Sequence, residues 1–224
     1  MGITSPGGFA EYTKTKESLA YRISPETNVN HAAFAEPLSC ALNGFSRLDI
    51  TPGDTCAVIG CGPIGLLFAQ MARANGARVV CLEINENRLK KAQELGFDTI
   101  LPENDEKTVA LLREKWGRRA NYVIDAAGGQ LPTAVQIAEF CGKVICFASP
   151  RQVENANLGP IQGKELTILG SFIIKDSMAR AITAIENGYL NLDPIITHVC
   201  PIEEINECMH LLMEGKGMEI ILTF

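Results

Sequence analysis

The sequence is poor in several residue types on which whole classes of protein depend. Its 224 residues include one tryptophan, three histidines and only 6% aromatic side chains. Lysine and arginine (20) are outnumbered by aspartate and glutamate (26), which gives a formal net charge of −6 at pH 7. Nucleic acids and anionic membranes attract basic surfaces, so this balance argues against either as the main partner.

Cysteine is abundant, but the spacing that typifies structural zinc sites is missing. No two of the eight cysteines are arranged as C-x-x-C, which argues against a zinc knuckle. They are scattered through apolar stretches rather than clustered in a short secreted chain, so we expect free, buried thiols that pack as small hydrophobic groups. The eight positions are Cys40, Cys56, Cys61, Cys81, Cys141, Cys146, Cys200 and Cys208.

Membrane-spanning and secretory patterns are also missing. The longest uncharged run, 55–72, is interrupted by three glycines and a proline, so we reject a membrane helix. The first residues lack the basic and then apolar order of a signal peptide. We therefore expect a cytoplasmic protein. We find no Ser-His-Asp order or carboxylate dyad that would indicate hydrolytic chemistry.

A glycine-rich stretch near the middle of the chain carries the strongest signal. An apolar run at 56–59 is followed by Gly60-Cys61-Gly62-Pro63-Ile64-Gly65 and then by a helical pattern. In a strand–turn–helix unit, Gly60 permits the sharp turn, Gly62 lets the backbone approach a pyrophosphate, and Gly65 lets the helix pack against the strand. Pro63 suits the first helical position, where its missing N–H costs nothing. The free amides of that helix end favour an anion.

A second strand and an acidic residue complete the unit. Val79 and Val80 precede Glu83, about twenty residues beyond the glycines, where a carboxylate can accept hydrogen bonds from both ribose hydroxyls. The pattern predicts dinucleotide binding, with NAD preferred over NADP because Glu83 would repel a 2′-phosphate. The alternatives are an ordinary glycine-rich turn and a methyl-donor site in a related Rossmann-like fold.

The rest of the sequence alternates strands and helices, and the ends differ from the middle. Six strands separated by helices predict an α/β fold with a doubly wound parallel sheet in the order 3-2-1-4-5-6. The predicted strands are 56–59, 79–80, 99–101, 122–125, 144–147 and 166–169, with helices at 86–95, 106–116 and 132–140. Outside them we predict short strands at 9–14 and 19–23 after a Pro-Gly-Gly turn, helices at 31–48 and 177–187 and one ending at 214–215, and a last strand at 218–223.

In this order the motifs resemble the zinc-dependent branch of the medium-chain dehydrogenase/reductase family, the alcohol and polyol dehydrogenases. The matching stretches cover the whole chain: GGFAEY, AEPLSCALNG, PGDTCAVIGCGPIGLL, VIDAAGG, KELTILGSF and DPIITHVCPIEEINE. The resemblance implies an NAD-binding Rossmann domain at 38–175, flanked by remnants of a catalytic, GroES-like domain at 1–37 and 176–224. It also implies that the protein is an oxidoreductase passing hydride between nicotinamide and an alcohol or polyol.

The resemblance assigns cofactor contacts residue by residue. Ile64 would offer its amide to the pyrophosphate, and Glu83 and Arg88 would hold the adenosine ribose. Backbone groups would fix the nicotinamide carboxamide at Cys146, Phe147, Ala148, Ser171, Phe172 and Ile173. The plainer alternative is that Arg88 is a solvated helix charge and that Phe147 belongs to the core.

The family's zinc is where this chain departs from the pattern. Glu36, in the E-P-L motif, is the one candidate for a catalytic and metal-binding residue, and the family takes a Cys and a His-Glu pair from a front domain that we do not find in the sequence. His31, His198 and His210 match no family ligand position. We therefore expect zinc to be absent and the chain as given to be inactive. The competing hypothesis is a nucleotide-binding or redox-sensing module without catalysis.

Two further departures from the family pattern concern the cofactor and the substrate. Glu219 stands where the family often has a cation that meets the pyrophosphate, and Ile173 stands where the polyol branch often has Arg.

The apolar strand 166–169 would be the last of the sheet, and such an edge is a liability unless another chain covers it. Related enzymes pair this region, so we expect a homodimer or tetramer.

Overall fold

The structure, a computed structural model, describes residues 7–148, 157, 159–173 and 176–224. The strands are β1 Thr55–Ile59, β2 Arg78–Leu82, β3 Asp98–Ile100, β4 Ala120–Asp125, β5 Ala138–Cys146, β6 Thr167–Gly170, β7 Ile196–Pro201 and β8 Glu219–Thr223. The helices are α1 Val29–Ala32, α2 Ala35–Phe45, α3 Pro63–Ala74, α4 Glu86–Glu94, α5 Asp105–Trp116, α6 Leu131–Ile137, α7 Gly159–Gly163, α8 Met178–Glu186 and α9 Ile205–Met213. Short 3-10 helices lie at Glu17–Leu19 and Ile202–Glu204.

Six parallel strands form the main sheet in the order β3-β2-β1-β4-β5-β6, which confirms the predicted doubly wound α/β fold. Every residue of the central strand β1 is buried, as expected of a strand covered on both faces. The strand order reverses between β1 and β4, and ligands of such sheets bind at that point, beyond the carboxyl ends of the strands.

Helices cover both faces of this sheet. One apolar cluster lies beneath α2, α3 and α8, and includes Leu38, Phe68 and Ala181. The other lies beneath α5 and α6, and includes Leu112 and Val135. The glycine turn is thereby fixed between a buried strand and a buried helix, which gives it a rigid support.

A two-stranded parallel sheet of β7 and β8, with α9, follows the main sheet. The sequence predicted the last strand but not β7. None of the helices in the described part of the chain is long and apolar enough to cross a membrane. All eight cysteines are free thiols, as predicted, but only four of them are buried: Cys40, Cys146 and Cys200 are partly exposed and Cys141 is exposed.

The two strands predicted at 9–14 and 19–23 do not form. Residues 8–22 are exposed and carry only the 3-10 turn Glu17–Leu19, and the structure gives this segment no strand partner among the described residues. Isolated hairpins are marginal in water, so a strand propensity without a covering surface does not suffice. The Pro-Gly-Gly turn predicted before them begins at Pro6, outside the described residues.

Two predicted helices have different limits. The helix predicted at 31–48 is divided into α1 and α2, and the fully buried Phe34 lies between them. The helix predicted at 132–140 ends at Ile137, and the chain enters β5 at once. Ala138 is extended, and Lys164 Nζ donates to the carbonyl oxygens of Val135 (2.8 Å), Gln136 (2.8 Å) and Ala138 (3.1 Å), which satisfies the end of α6.

Candidate cofactor site

The glycine turn after β1 has the geometry that its sequence predicted. Gly60 has a φ of +94°, which side chains rarely adopt. A Cβ placed on Gly65 would lie 1.9 Å from the carbonyl oxygen of Gly60, so helix and strand approach too closely for any side chain. A Cβ placed on Gly62 would meet no atom within 4 Å, so that glycine faces open space. Gly65 is therefore required by packing, and Gly62 borders a free volume.

The helix that follows presents an uncapped N-terminus. Gly62 is the N-cap of α3 and offers no side chain to the first amides, and Pro63 occupies the first turn. The first N–H groups of a helix have no partner within it, and the helix dipole adds positive potential there. The Ile64 amide belongs to this first turn, while the Ile64 side chain packs against the core. This end of α3 is suited to an anion.

Glu83 is buried beside the turn and is held by backbone donors. Glu83 is only 5% exposed. Oε2 accepts the Cys61 N–H (2.8 Å), and Oε1 accepts the N–H groups of Ile84 (2.8 Å) and Asn85 (2.9 Å). A carboxylate has about four lone-pair positions, so these three bonds leave capacity for a further donor. Glu83 therefore fixes the glycine turn and can still accept a hydrogen bond.

These residues line one side of a cleft of about 600 Å³. Gly60, Gly62, Glu83 and Arg88 all border it. The Nε of Arg88 is buried and has no hydrogen-bond partner in the described structure. A buried donor without an acceptor costs free energy, so this N–H has hydrogen-bonding capacity that the described residues do not use.

Asp125, at the end of β4, shapes the opposite side of the cleft and was not assigned a role from the sequence. It is 3% exposed. Its Oδ1 accepts the N–H groups of Ala127 (3.2 Å) and Gly128 (2.7 Å), and its Oδ2 accepts that of Gln130 (2.8 Å). The available signal was an acid at a strand end followed by Ala-Ala-Gly-Gly, because Asp is a common turn former.

The third wall comes from far along the chain. Residues 212–215, at the end of α9, line the cleft, and Asn85 Nδ2 donates to the Gly215 carbonyl oxygen at 3.5 Å. No local pattern could have announced this contact, since it joins residues 130 positions apart. Glu219, expected near the pyrophosphate, lies in β8 and does not line the cleft; burial raises its pKa.

The residues assigned to the nicotinamide lie beyond this cleft, around the ends of β5 and β6. The Ser171 N–H donates to the Cys146 carbonyl oxygen (3.2 Å), and the N–H groups of Phe147 (3.0 Å) and Ala148 (3.3 Å) both donate to the Asp125 carbonyl oxygen. Burial, and secondly Asp125, raises the pKa of the Cys146 thiol. The Ser171 bond joins the ends of β5 and β6, and the Phe147 and Ala148 bonds join the end of β5 to that of β4.

The side chains of the same region differ in how far they are buried. Phe147 packs edge-on against Phe68 with ring centroids 5.0 Å apart, so it does belong in part to the core. The Oγ of Ser171 is buried and has no hydrogen-bond partner among the residues that the structure describes, whereas Phe172 is 80% exposed. Asn43 Nδ2 on α2 donates to the carbonyl oxygens of Phe172 (3.3 Å) and Ile173 (2.9 Å), which fixes the segment from one side.

Glu36 lies on the exposed face of α2 and has a thiol as its neighbour. Cys40 Sγ donates to Glu36 Oε1 at 3.3 Å, and desolvation together with the Glu36 charge raises the pKa of Cys40 to about 12. His31 instead pairs with Asp193 (2.6 Å), and His198 Nδ1 lies 3.0 Å from Thr197 Oγ1. Among the described residues no three His, Cys, Asp or Glu side chains are grouped so that they could hold a metal ion.

Comparison with known proteins identifies the lineage. The sequence model of the family described as zinc-binding dehydrogenase matches residues 63–187, more than half of the chain. The chain belongs to the zinc-binding dehydrogenase family. The sequence is 34% identical over 222 residues to erythritol/L-threitol dehydrogenase of Mycolicibacterium smegmatis, and the match covers 95% of the chain and 60% of that enzyme. The resemblance to alcohol and polyol dehydrogenases is thereby confirmed.

Solved structures agree with this placement. The 2R,3R-butanediol dehydrogenase of Bacillus subtilis superposes with a TM-score of 0.88 at 27% identity, over 97% of this chain and 64% of the other. An Escherichia coli alcohol dehydrogenase complexed with NADH superposes with a TM-score of 0.87 at 27% identity, over 100% and 68% of the two chains. The chain thus spans about two thirds or less of the length of the Mycolicibacterium and Bacillus proteins.

Proposed function

We propose that this chain binds NAD as the cofactor-binding part of a zinc-type alcohol or polyol dehydrogenase. One observation carries the proposal: Gly62 at the uncapped end of α3, Glu83 with spare acceptor capacity, and Arg88, whose buried Nε has no partner among the described residues, all line the same cleft. These are an anion site, an acceptor and a donor, which suit a pyrophosphate and a ribose. The solved relative that carries NADH supports the same reading.

The proposed site has two ends. The adenosine end comprises Glu83, Asn85 and Arg88, and the nicotinamide end comprises 146–148 and 171–173. Bound NAD would accept the hydride that leaves the alcohol carbon. The protein's part is to hold the pyrophosphate on α3, to orient the ribose at Glu83 and to seat the carboxamide against the backbone beside β5 and β6.

Titration with NADH and NADPH, followed by nicotinamide fluorescence, tests the cofactor. We expect saturable NADH binding and weaker NADPH binding, because the Glu83 carboxylate would face the 2′-phosphate. Equal or tighter binding of NADPH would contradict the role given to Glu83. Absence of binding by either nucleotide would contradict the whole site.

The described residues do not fit a catalytic zinc. Such a site takes about three protein ligands, and Glu36 has only the protonated thiol of Cys40 beside it. We propose that the chain as given holds no zinc tightly and turns over no alcohol. The same observation favours our second candidate function, a nucleotide-binding or redox-sensing module without catalysis.

Two measurements test the inactivity of the chain as given. Metal content after dialysis should be far below one zinc per chain, and NADH should not accumulate with a panel of alcohols and polyols at saturating NAD. Stoichiometric zinc with turnover would contradict the proposal. Failure here leaves the cofactor titration unaffected, so the two parts of the proposal are tested separately.

The domain division remains part of the proposal. We propose a cofactor domain at 38–175 between catalytic-domain segments at 1–37 and 176–224. Within this division α2 is shared, since one helix carries Glu36 and Leu38, and Ser177 Oγ donates to the Ser39 carbonyl oxygen at 2.7 Å. We also propose a cytoplasmic location, because free thiols persist in a reducing compartment. Cell fractionation tests it.

A homodimer or a tetramer is proposed from the edge of the sheet. β6 ends the strand order, and its residues Ile168 and Leu169 are only partly covered by the two apolar clusters. An apolar edge strand invites pairing with another chain. Sedimentation at tens of micromolar should give a species larger than the monomer. A clean monomer over that range would contradict the assembly without bearing on NAD.

A further inference from the structure

A second cleft lies at the opposite edge of the main sheet from the proposed cofactor site. It has a volume of about 410 Å³ and is formed by the amino ends of β2 and β3 and the C-terminal ends of α3 and α5. We name it the basic cleft and define it by Arg73, Arg78, Phe97, Asp98, Lys115 and Trp116. Ligand pockets for small molecules have volumes of roughly 300–1,000 Å³, so the size suits a small molecule.

The charge of the basic cleft is opposite to that of the chain. Its lining contains three cations, Arg73, Arg78 and Lys115, and one carboxylate, Asp98, in a chain of net charge −6. Asp98 is already paired with Lys115, at 2.8 Å. The Arg78 guanidinium has no hydrogen bond or ion pair with any of the described residues. A local excess of positive charge with a free guanidinium favours an anion that can accept two parallel hydrogen bonds.

Aromatic rings stand beside these cations. The Arg73 guanidinium lies 4.2 Å from the ring centroid of the buried Phe97, and its Nη1 donates to the Leu95 carbonyl oxygen at 2.7 Å. Arg73 is thereby held in place rather than free in solvent. Trp116, the one tryptophan of the sequence, is half-buried and lines the cleft. Part of the Trp116 side chain packs against the second apolar cluster, and a cleft lined by a tryptophan and a fixed guanidinium suits a flat ring.

We propose that the basic cleft is a binding site for a small aromatic anion, a ring that carries a phosphate or a carboxylate. Arg78 would take the anionic group, with Arg73 adding to the field, and Trp116 would contact the ring. The site is independent of the cofactor cleft, which opens at the carboxyl ends of the same strands. It also lies at the β3 end of the sheet, away from β6, and would stay open in an assembly formed through β6.

Trp116 provides the readout, and phenyl phosphate is the probe. Titration of the purified chain with phenyl phosphate, with excitation selective for tryptophan, should quench the fluorescence and saturate. Inorganic phosphate and phenol, each holding half of the proposed contacts, should bind more weakly. Arg78→Gln should reduce the affinity for phenyl phosphate by about tenfold or more, the usual effect of losing a charge-assisted hydrogen bond.

Matched controls separate this site from general charge effects. Lys107→Gln removes an exposed cation from the other end of α5, already paired with Glu103, and should leave the affinity unchanged. NADH binding should be normal in Arg78→Gln, which also verifies its folding, and saturating NADH should not displace the probe. The proposal is overturned if phenyl phosphate gives no saturable signal at millimolar concentration, if Arg78→Gln binds it as tightly as the parent, or if NADH competes.

Discussion

Glu83, at the adenosine end of the proposed cofactor site, is 5% exposed and accepts hydrogen bonds from three backbone N–H groups, whereas Phe172, at the nicotinamide end, is 80% exposed. The adenosine end is walled by the glycine turn, by the loop after β4 and by 212–215. The nicotinamide end is fixed mainly through backbone bonds and one amide side chain, Asn43. The chain by itself therefore preorganises one half of the site, and affinity should come mostly from that half.

ADP-ribose distinguishes the two ends, because it carries the adenosine and pyrophosphate but no nicotinamide. Substitutions at the adenosine end should weaken the binding of NADH and of ADP-ribose alike. Substitutions at the nicotinamide end should weaken the binding of NADH alone. Each variant below is therefore measured with both ligands, and its stability is followed by denaturant unfolding.

Gly65→Ala should have the largest effect. The added Cβ would lie 1.9 Å from the Gly60 carbonyl oxygen, so the turn or α3 must move. Overpacking against side chains typically costs about 1–3 kcal/mol, and here the obstacle is backbone, so we expect a loss of about 3 kcal/mol or more in the free energy of unfolding. Binding of both ligands should be lost with it.

Gly62→Ala is the matched control for steric effects. A Cβ there meets no protein atom within 4 Å, and the residue has a φ of −67°, which alanine adopts freely. Stability should change by less than about 1 kcal/mol, as for a cap substitution. Both ligands should nevertheless bind more weakly, because the methyl group enters the space given to the pyrophosphate. Wild-type affinity in Gly62→Ala would contradict that placement.

Glu83→Gln should reduce the discrimination between NADH and NADPH. Removing the charge takes away the repulsion of the 2′-phosphate, and we expect the affinity ratio to fall by about tenfold, or ~1.4 kcal/mol. The glutamine NH₂ would face a backbone N–H, so some stability should also be lost. An unchanged ratio would show that discrimination comes from another group.

Arg88→Lys tests the unpartnered Nε with the charge retained. Lysine keeps a cation on α4 but cannot place a donor at the Nε position, so NADH and ADP-ribose should each bind about threefold to tenfold more weakly. Lys90→Gln, an exposed neighbour on the same helix, is the control and should change neither affinity. If Arg88→Lys and the parent bound NADH and ADP-ribose equally well, Arg88 would be a solvated charge on α4 without a role in binding.

The adenosine end was also the part that the sequence could predict. Strand, glycine turn, helix and Glu83 lie within one continuous stretch, and each local preference agrees with the fold, so the spacing alone indicated the geometry. The strand order followed from the same local units and the handedness of their connections. Of the groups that received no role, Asn85 and Gly215 meet across 130 positions, whereas Asp125 binds only backbone N–H groups two to five residues further on and so had a local signal.

Errors in the predicted elements have the same origin. The end of α6 depends on Lys164, which lies 26 to 29 residues beyond the carbonyls that it binds. The segments 9–14 and 19–23 have strand composition, but strands need a partner, and their side chains remain exposed. Local patterns determine an element only where no remote group competes with it or is required by it.

Asn43→Ala should have the smallest effect and is confined to the nicotinamide end. Its Nδ2 donates to the carbonyl oxygens of Phe172 (3.3 Å) and Ile173 (2.9 Å), so the alanine variant should leave 171–173 less well fixed. A single hydrogen-bonding side chain contributes roughly 0.5–1.5 kcal/mol. The affinity for NADH should therefore fall by about threefold, and the affinity for ADP-ribose should not change. Asn75→Ala is the control, because that amide also donates to Met71 and Tyr189 but lies away from the cleft. If Asn43→Ala weakened both ligands equally, the two ends would be coupled through α2 and the division of the site would fail.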